Sequence, residues 1–270
     1  MLNRLRKLFG GSDDPSTDDA AGDSDGQVEI DEVCNMPHAW YSQATSEQIM
    51  LRSECVRVVE ENGFEFSPYL PLSSATELRP IEEIAKRLMA LNAVFLWASE
   101  AGGEEPTEQF APYLDDNGLR EFVTADEATI LAQPREEAVA ENTDNIGWRL
   151  ENMWPLAWIL GLEEPPTLGA VIQPEVTRAI IVERLDFLNK PLADVLDEAT
   201  PRPFEEVQLA EHLFYCAHNA AREALHNGRP EVVPDGFDPV VDGGVVHERR
   251  HALTWAVSPG VAWEDTDLST

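Results

Sequence analysis

Hydrophobic positions recur along this chain at the three- and four-residue steps of helices, and the pattern is densest at Trp148–Leu162, WRLENMWPLAWILGL. Leu150, Met153, Ala157 and Leu160 form one apolar row, and Trp154, Trp158 and Leu162 form a second, so most of the circumference requires burial. A stretch of about 15 residues is too short to span a bilayer, which makes it a central core helix. Glu151 puts a carboxylate on the tryptophan face. Pro155 lacks an N–H and leaves the Glu151 carbonyl without its helical partner, which predicts a kink or a restart.

Other helices announce themselves through their ends. Thr45-Ser46-Glu47-Gln48 is a capping-box pattern and predicts a helix to Asn62 that stops at Gly63. Pro80, followed by Glu82 and Glu83, opens a helix in which Ile81, Ile84, Leu88, Leu91, Phe95 and Ala98 recur. Its later half is apolar all round and predicts deep packing against the Trp148 helix. Short helices are expected near 108–114, from the N-cap Thr124 through Leu131, after Pro134, and over 192–199. From Pro174 onward a helix is preferred, although Ile180, Ile181 and Val182 are β-branched. Pro203 begins a long helix with Ala210, Leu213, Phe214, Ala217, Ala221 and Ala224 on its buried stripe and Gly228 at its end. A last helix is predicted over 245–257. With no fixed-period repeat and no convincing hairpin, the fold class is mainly α: a single multi-helix orthogonal-type bundle over 33–270, with long loops and little or no β-structure.

Composition adds constraints. The chain has 270 residues, 43% of them hydrophobic, enough for a substantial core. Its net charge is −32, and residues 33–270 alone carry 42 acids against 16 bases. A body that acidic repels nucleic-acid phosphates, so no nucleic acid is expected, and a protein partner, if basic, would suit it. Residues 1–32 read as a disordered tail, a short basic LNRLRKLF segment followed by an acidic Gly/Ser/Asp linker, with order beginning between 33 and 45. Two helical turns with three cations bind an anionic membrane weakly, and no apolar run approaches the roughly 18 residues of a spanning helix, so no stable membrane insertion is expected. Cys34, Cys55 and Cys216 are few and unclustered, as in a reducing compartment, and no signal peptide is recognisable, which points to the cytoplasm.

The sharpest chemical pattern is His247-Glu248-Arg249-Arg250-His251, an H-E-x-x-H sequence in which two histidines one turn apart can share zinc and Glu248 can act as base. Four features oppose it. No histidine follows His251, the glycine of the extended motif is missing, and both interior positions are arginine. The fourth is helical phase, which puts His247, Arg250, His251, Thr254 and Ser258 on one polar stripe expected to face solvent, with Glu248 and Arg249 nearer the core. A remote ligand such as His218 or Asp265 would be needed. Cys216 follows His212 by four residues on a face expected to be mostly exposed, a weak nucleophile pair. No catalytic residue and no cofactor is predicted. The seven tryptophans, at helical spacing, belong to the core.

Three landmarks carry a family resemblance. They are Arg79, Ile81, Glu82, Glu83, Ile84, Ala85, Arg87, Ala90 and Leu91; then Trp148, Arg149, Glu151, Trp154, Trp158 and Gly161; then His218 and Arg222 with Glu248, Arg249, His251, Ala252, Leu253, Trp255, Trp263 and Asp265. Together, over residues 46–268, they resemble the bacterial family catalogued as domain of unknown function 4272. That resemblance implies an intracellular, largely helical domain with no assigned activity, a fixed Glu248-Arg249 pair, and no requirement for histidine at position 247. Pro155 departs from the family pattern.

Helical phase also sets Glu211, His218 and Arg222 on the flank of the buried stripe of their helix. Glu151, His218, Arg222, Glu248 and Arg249 therefore form a candidate polar cluster, in which arginines of the last two long helices meet Glu151 or Glu248. Three functions follow: a non-catalytic interaction or accessory module, which is preferred; a small-ligand sensor built on the polar cluster; and a zinc-dependent hydrolase using His247, Glu248 and His251.

Overall fold

The computed structural model describes residues 28–103 and 106–270. The LNRLRKLF segment and the acidic linker up to residue 27 lie outside the described residues. Residues 28–32, read above as the end of that linker, carry the first strand. Ile30–Asp31 (β1) pairs antiparallel with Met36–Pro37 (β2), and the buried Met36 anchors the ribbon.

Ten α-helices, joined by short 3-10 and π turns, follow among the described residues: α1 Ser46–Glu61, α2 Ile81–Trp97, α3 Thr107–Asp116, α4 Ala125–Ala132, α5 Arg135–Asn142, α6 Trp148–Ile159, α7 Pro174–Arg178, α8 Leu192–Glu198, α9 Phe204–Asn227 and α10 Val241–Ala256. The protein is mainly α. Both capping boxes form: the Gln48 and Glu127 backbone N–H groups donate to the Thr45 and Thr124 hydroxyls, and each side chain answers the cap's own N–H. Past α7 the β-branched Ile180-Ile181-Val182 run is held in a π turn, Ala179–Arg184, so the chain stays helical but widens.

The long helices form a succession of neighbours. α1 packs on α9, α9 on α10, α10 on α6, and α6 on α2, which the short helices α3, α4, α5 and α8 flank. One hydrophobic cluster runs from Cys55 in α1 to Trp263 beyond α10. The packing predicted between α2 and the Trp148 helix is present, and Trp154, Trp158, Trp255 and Trp263 are buried. Of the kink or restart predicted at Pro155, the restart does not occur: α6, Trp148–Ile159, is continuous through it.

α10 begins four residues earlier than predicted. Its start was hidden by Gly243-Gly244, which reads as loop. Asp238 accepts hydrogen bonds from the Val240 and Val241 N–H groups at 2.8 and 3.2 Å and caps the helix there. The glycine is needed for close approach, since a Cβ on Gly244 would sit 2.8 Å from the Trp148 ring. α6 ends at Gly161 in the left-handed region, φ +72°. Segment 200–202 crosses this end, where the Thr200 and Arg202 N–H groups donate to the Leu160 and Ile159 carbonyls.

After α10 the chain turns back over the helices and is stitched down by arginines. Arg79 donates to the Trp255, Ser258 and Val261 carbonyls and lies on the Trp255 ring at 4.0 Å. Arg87 lies 4.0 Å over Trp263, and Arg250 donates to the Leu268 and Ser269 carbonyls at 2.9 and 3.0 Å.

Candidate functional site

The cluster anticipated from the sequence divides into separate units. Arg249 and Glu151 do meet, with Nη2 2.6 Å and Nε 2.8 Å from Oε2, both side chains buried. The other Glu151 oxygen accepts the Ile172 N–H at 2.8 Å. Arg249 donates further to the Thr167 and Ala170 carbonyls and lies 4.5 Å over the Trp154 ring. This pair joins α6 and α10 and shapes the 167–172 loop, and its donors are fully used. Among the described residues Glu248 meets no arginine; it accepts from the Asn152 amide at 2.9 Å. Arg222 is exposed. His218 is buried and faces a different arginine from the ones expected, Arg250, whose Nη1 donates to His218 Nδ1 at 2.7 Å.

That contact fixes the tautomer of His218. Its Nε2 must carry the proton and donates to His247 Nδ1 at 3.4 Å. Burial first, then the Arg250 charge, pushes the His218 imidazole down to about 3, so the ring is neutral. His251 donates from Nε2 to the Trp263 carbonyl at 2.9 Å and lies against that indole. The stripe read as solvent-facing is therefore covered. Arg250 is buried, and His247 and His251 are half-buried, because α9 packs over one side of the stripe and the C-terminal segment over the other. Among the described residues no group of three or more His, Cys, Asp or Glu side chains is arranged to hold a metal ion. His212 and Cys216 are also buried instead of exposed, and burial pushes the Cys216 thiol up to about 12, which leaves it a poor nucleophile.

A cleft of about 540 Å³ opens between α9, α10, segment 71–77 and the C-terminal segment. Its strap-like wall, 71–77, is pinned through its carbonyls. The fully buried Arg52 of α1 donates to Leu70 and Pro71, Gln48 donates to Ser73, and Gln208 of α9 donates to Ala75. Glu211 and His212 of α9, Tyr215 one turn on, and Arg250 and Thr254 of α10 line the interior. The Thr254 hydroxyl donates to Glu211 Oε1 at 3.1 Å. Burial raises the Glu211 carboxyl above the ordinary range, while the Arg250 charge and the Thr254 bond pull the other way. Burial, then the Arg52 and Arg250 charges, pushes His212 down to about 3, so it presents a neutral ring with one donor and one acceptor. Neither ring nitrogen of His212 has a hydrogen-bond partner among the described residues, although the residue is 1% exposed. Sequence reasoning named Glu211 only as a flank residue, His212 only as a weak partner of Cys216, and Arg250 and Thr254 only as members of a polar stripe expected to face solvent. The usable signal was that Glu211 and Thr254 are polar residues interrupting two helices whose buried stripes face each other.

The fold and this cleft define a mainly α protein with an ionisable recess between its two longest C-terminal helices. The family model for a domain of unknown function, DUF4272, matches residues 50–266, and the chain belongs to that family. No curated protein and no solved structure matches it. Among the described residues no helix is long and apolar enough to cross a membrane.

Proposed function

We infer that this protein is a non-catalytic binding module that takes a small polar molecule in the cleft between α9, α10 and segment 71–77. The observation that carries this reading is His212, a buried ring lining the cleft with both nitrogens unpartnered. A buried polar group without a partner costs about 1–3 kcal/mol, which a ligand's hydrogen bonds would recover. An interaction module that works only through its outer surface has no use for such a recess, so the ligand reading stands ahead of it. Nor does the recess contain an activated nucleophile: the neighbouring Cys216 is held as the thiol.

The test is a thermal-shift screen of small polar metabolites against the full chain and a Ser74→Trp variant. Ser74 lies exposed on the cleft wall, so an indole there obstructs the mouth without disturbing the core. Ligands of the cleft raise the Tm of the wild type and leave Ser74→Trp unmoved. Equal stabilisation of both proteins by every hit would place binding elsewhere and end this reading.

A further inference from the structure

Buried glutamates elsewhere in the fold have their charge answered. Glu127, at 0% exposure, receives Arg87 through two hydrogen bonds of 2.6 and 2.9 Å, with Arg149 at 3.3 Å, and Glu151 receives Arg249. Glu206 sits in the first turn of α9, where the helix dipole favours a carboxylate. Glu211 is the exception. It lies in mid-helix, 8% exposed, with one oxygen on the Thr254 hydroxyl, and among the described residues no ion pair reaches it and Oε2 has no hydrogen-bond partner. Arg250 shares the cleft, but its Nη1 is spent on His218 and the Leu268 carbonyl, its Nη2 donates to the Ser269 carbonyl, and its plane lies on the Tyr215 ring at 4.6 Å, leaving the buried Nε as its donor without a partner among the described residues. Glu77 and Asp267 also border the cleft, so its formal charge stays negative after Arg250 is counted.

We propose that the cleft takes a small organic molecule bearing a protonated amine, whose N–H groups donate to Glu211 Oε2 and to the imine nitrogen of His212. The proposal rests on the cleft reading above and assigns its ligand class. An ammonium supplies the charge that Glu211 lacks and the donor that His212 lacks. An anionic ligand would instead face Glu211, Glu77 and Asp267, with only a largely committed arginine to attract it. The shared chemistry has two sources, a simple amine or the ammonium of a zwitterionic amino acid. A zwitterion would additionally set its carboxylate towards the Arg250 side of the cleft.

The full chain is titrated calorimetrically with 1,4-diaminobutane, ethylamine and L-alanine, and with 1,4-butanediol and succinate as neutral and anionic counterparts. Saturable binding of at least one amine is expected, weakened about tenfold or more in Glu211→Gln, the size of one charge-assisted hydrogen bond. Thr76→Arg, a cation placed on the exposed rim, should weaken the same amine by about threefold, a surface-charge effect. It decides the matter if Glu211→Gln fails to fold. Alanine binding more tightly than ethylamine assigns the zwitterion, and the reverse order assigns the simple amine; either supports the proposal. Binding of butanediol or succinate without any amine overturns the ligand class and leaves the cleft reading standing. Amine affinity unchanged in both variants also overturns it. No binding by any of the five compounds removes the proposal, and if the metabolite screen is blank as well, the cleft reading falls with it.

Discussion

Arg249 and Glu211 show opposite ways for a helix to carry charge inside the molecule. Arg249 reaches a carboxylate, three loop carbonyls and an indole face, so each part of its guanidinium is occupied. An ion pair this deep adds little net stability, but removing one member leaves the other charge buried alone. Glu151→Gln is expected to lower the unfolding free energy by about 3–5 kcal/mol in urea titrations. The paired change Glu151→Leu with Arg249→Met should cost less than the sum of the two single changes. A Glu151→Gln protein within about 1 kcal/mol of the wild type would mean that the loop carbonyls alone satisfy Arg249. Glu211 lacks any such arrangement, which is why it, and not Glu151, marks the place where something else can bind.

At the scale of elements, helix ends decide how the pieces join. Gly161 and Gly228 both close a helix in the left-handed region, at φ +72° and +64°, yet their surroundings differ. A Cβ on Gly161 would stand 2.1 Å from the Thr200 carbonyl oxygen, where segment 200–202 caps α6, whereas a Cβ on Gly228 meets nothing within 4 Å. Gly228→Ala should therefore cost only the conformational penalty, about 1–2 kcal/mol. Gly161→Ala should cost clearly more, because the crossing segment must move and release the Leu160 and Ile159 carbonyls. Equal thermal destabilisation of the two variants would show that the crossing is not held by those bonds. These ends were also what made the fold legible in the sequence. Thr45, Thr124, Pro80, Pro203, Gly63 and Gly228 each announce a boundary through local chemistry, and the helices lie within a residue or two of where those residues put them. Gly243-Gly244 misled for a non-local reason: what requires Gly244 is Trp148, almost a hundred positions away.

Over the whole molecule, burial governs how stability follows pH. His212 and His218 both titrate near 3 in the folded protein against an ordinary 6.5. Below 6.5 the unfolded chain binds protons at these rings that the folded one refuses, so stability is full above 6.5 and is lost as pH falls towards 3. Glu211, raised by burial, acts in the opposite sense: its burial costs stability once pH exceeds the ordinary carboxylate value of 4.5. Between pH 6.5 and 4.5 the lowered histidines act together, His247 and His251 included, and His212→Leu should flatten the slope of unfolding free energy by up to about 1.4 kcal/mol per pH unit. An unchanged slope in denaturant titrations at fixed ionic strength would show that His212 takes up a proton in the folded state. The candidate site was hard to read from sequence for a related reason. Helical phase locates the polar stripe of α10 correctly, but only tertiary packing decides that α9 and the C-terminal segment cover it. Glu151 and Arg249 were found because apolar neighbours betray their burial; Arg250, among polar ones, gave no such sign.

The arginines that stitch the C-terminal segment down set an order of events for a chain emerging from the ribosome. Arg79 and Arg87 are synthesised early and wait, with α2 otherwise complete, for carbonyls and an indole that arrive nearly two hundred residues later. Closure over so long a sequence interval is slow to find and comes last. Arg87 meets Glu127 soon after it is made, but Arg79 stays without its loop carbonyls, and both guanidinium planes stay without their indoles, until residues 255–263 have been added. A ribosome stalled before Val257 should display a helical intermediate that proteases cut and the released full-length chain resists.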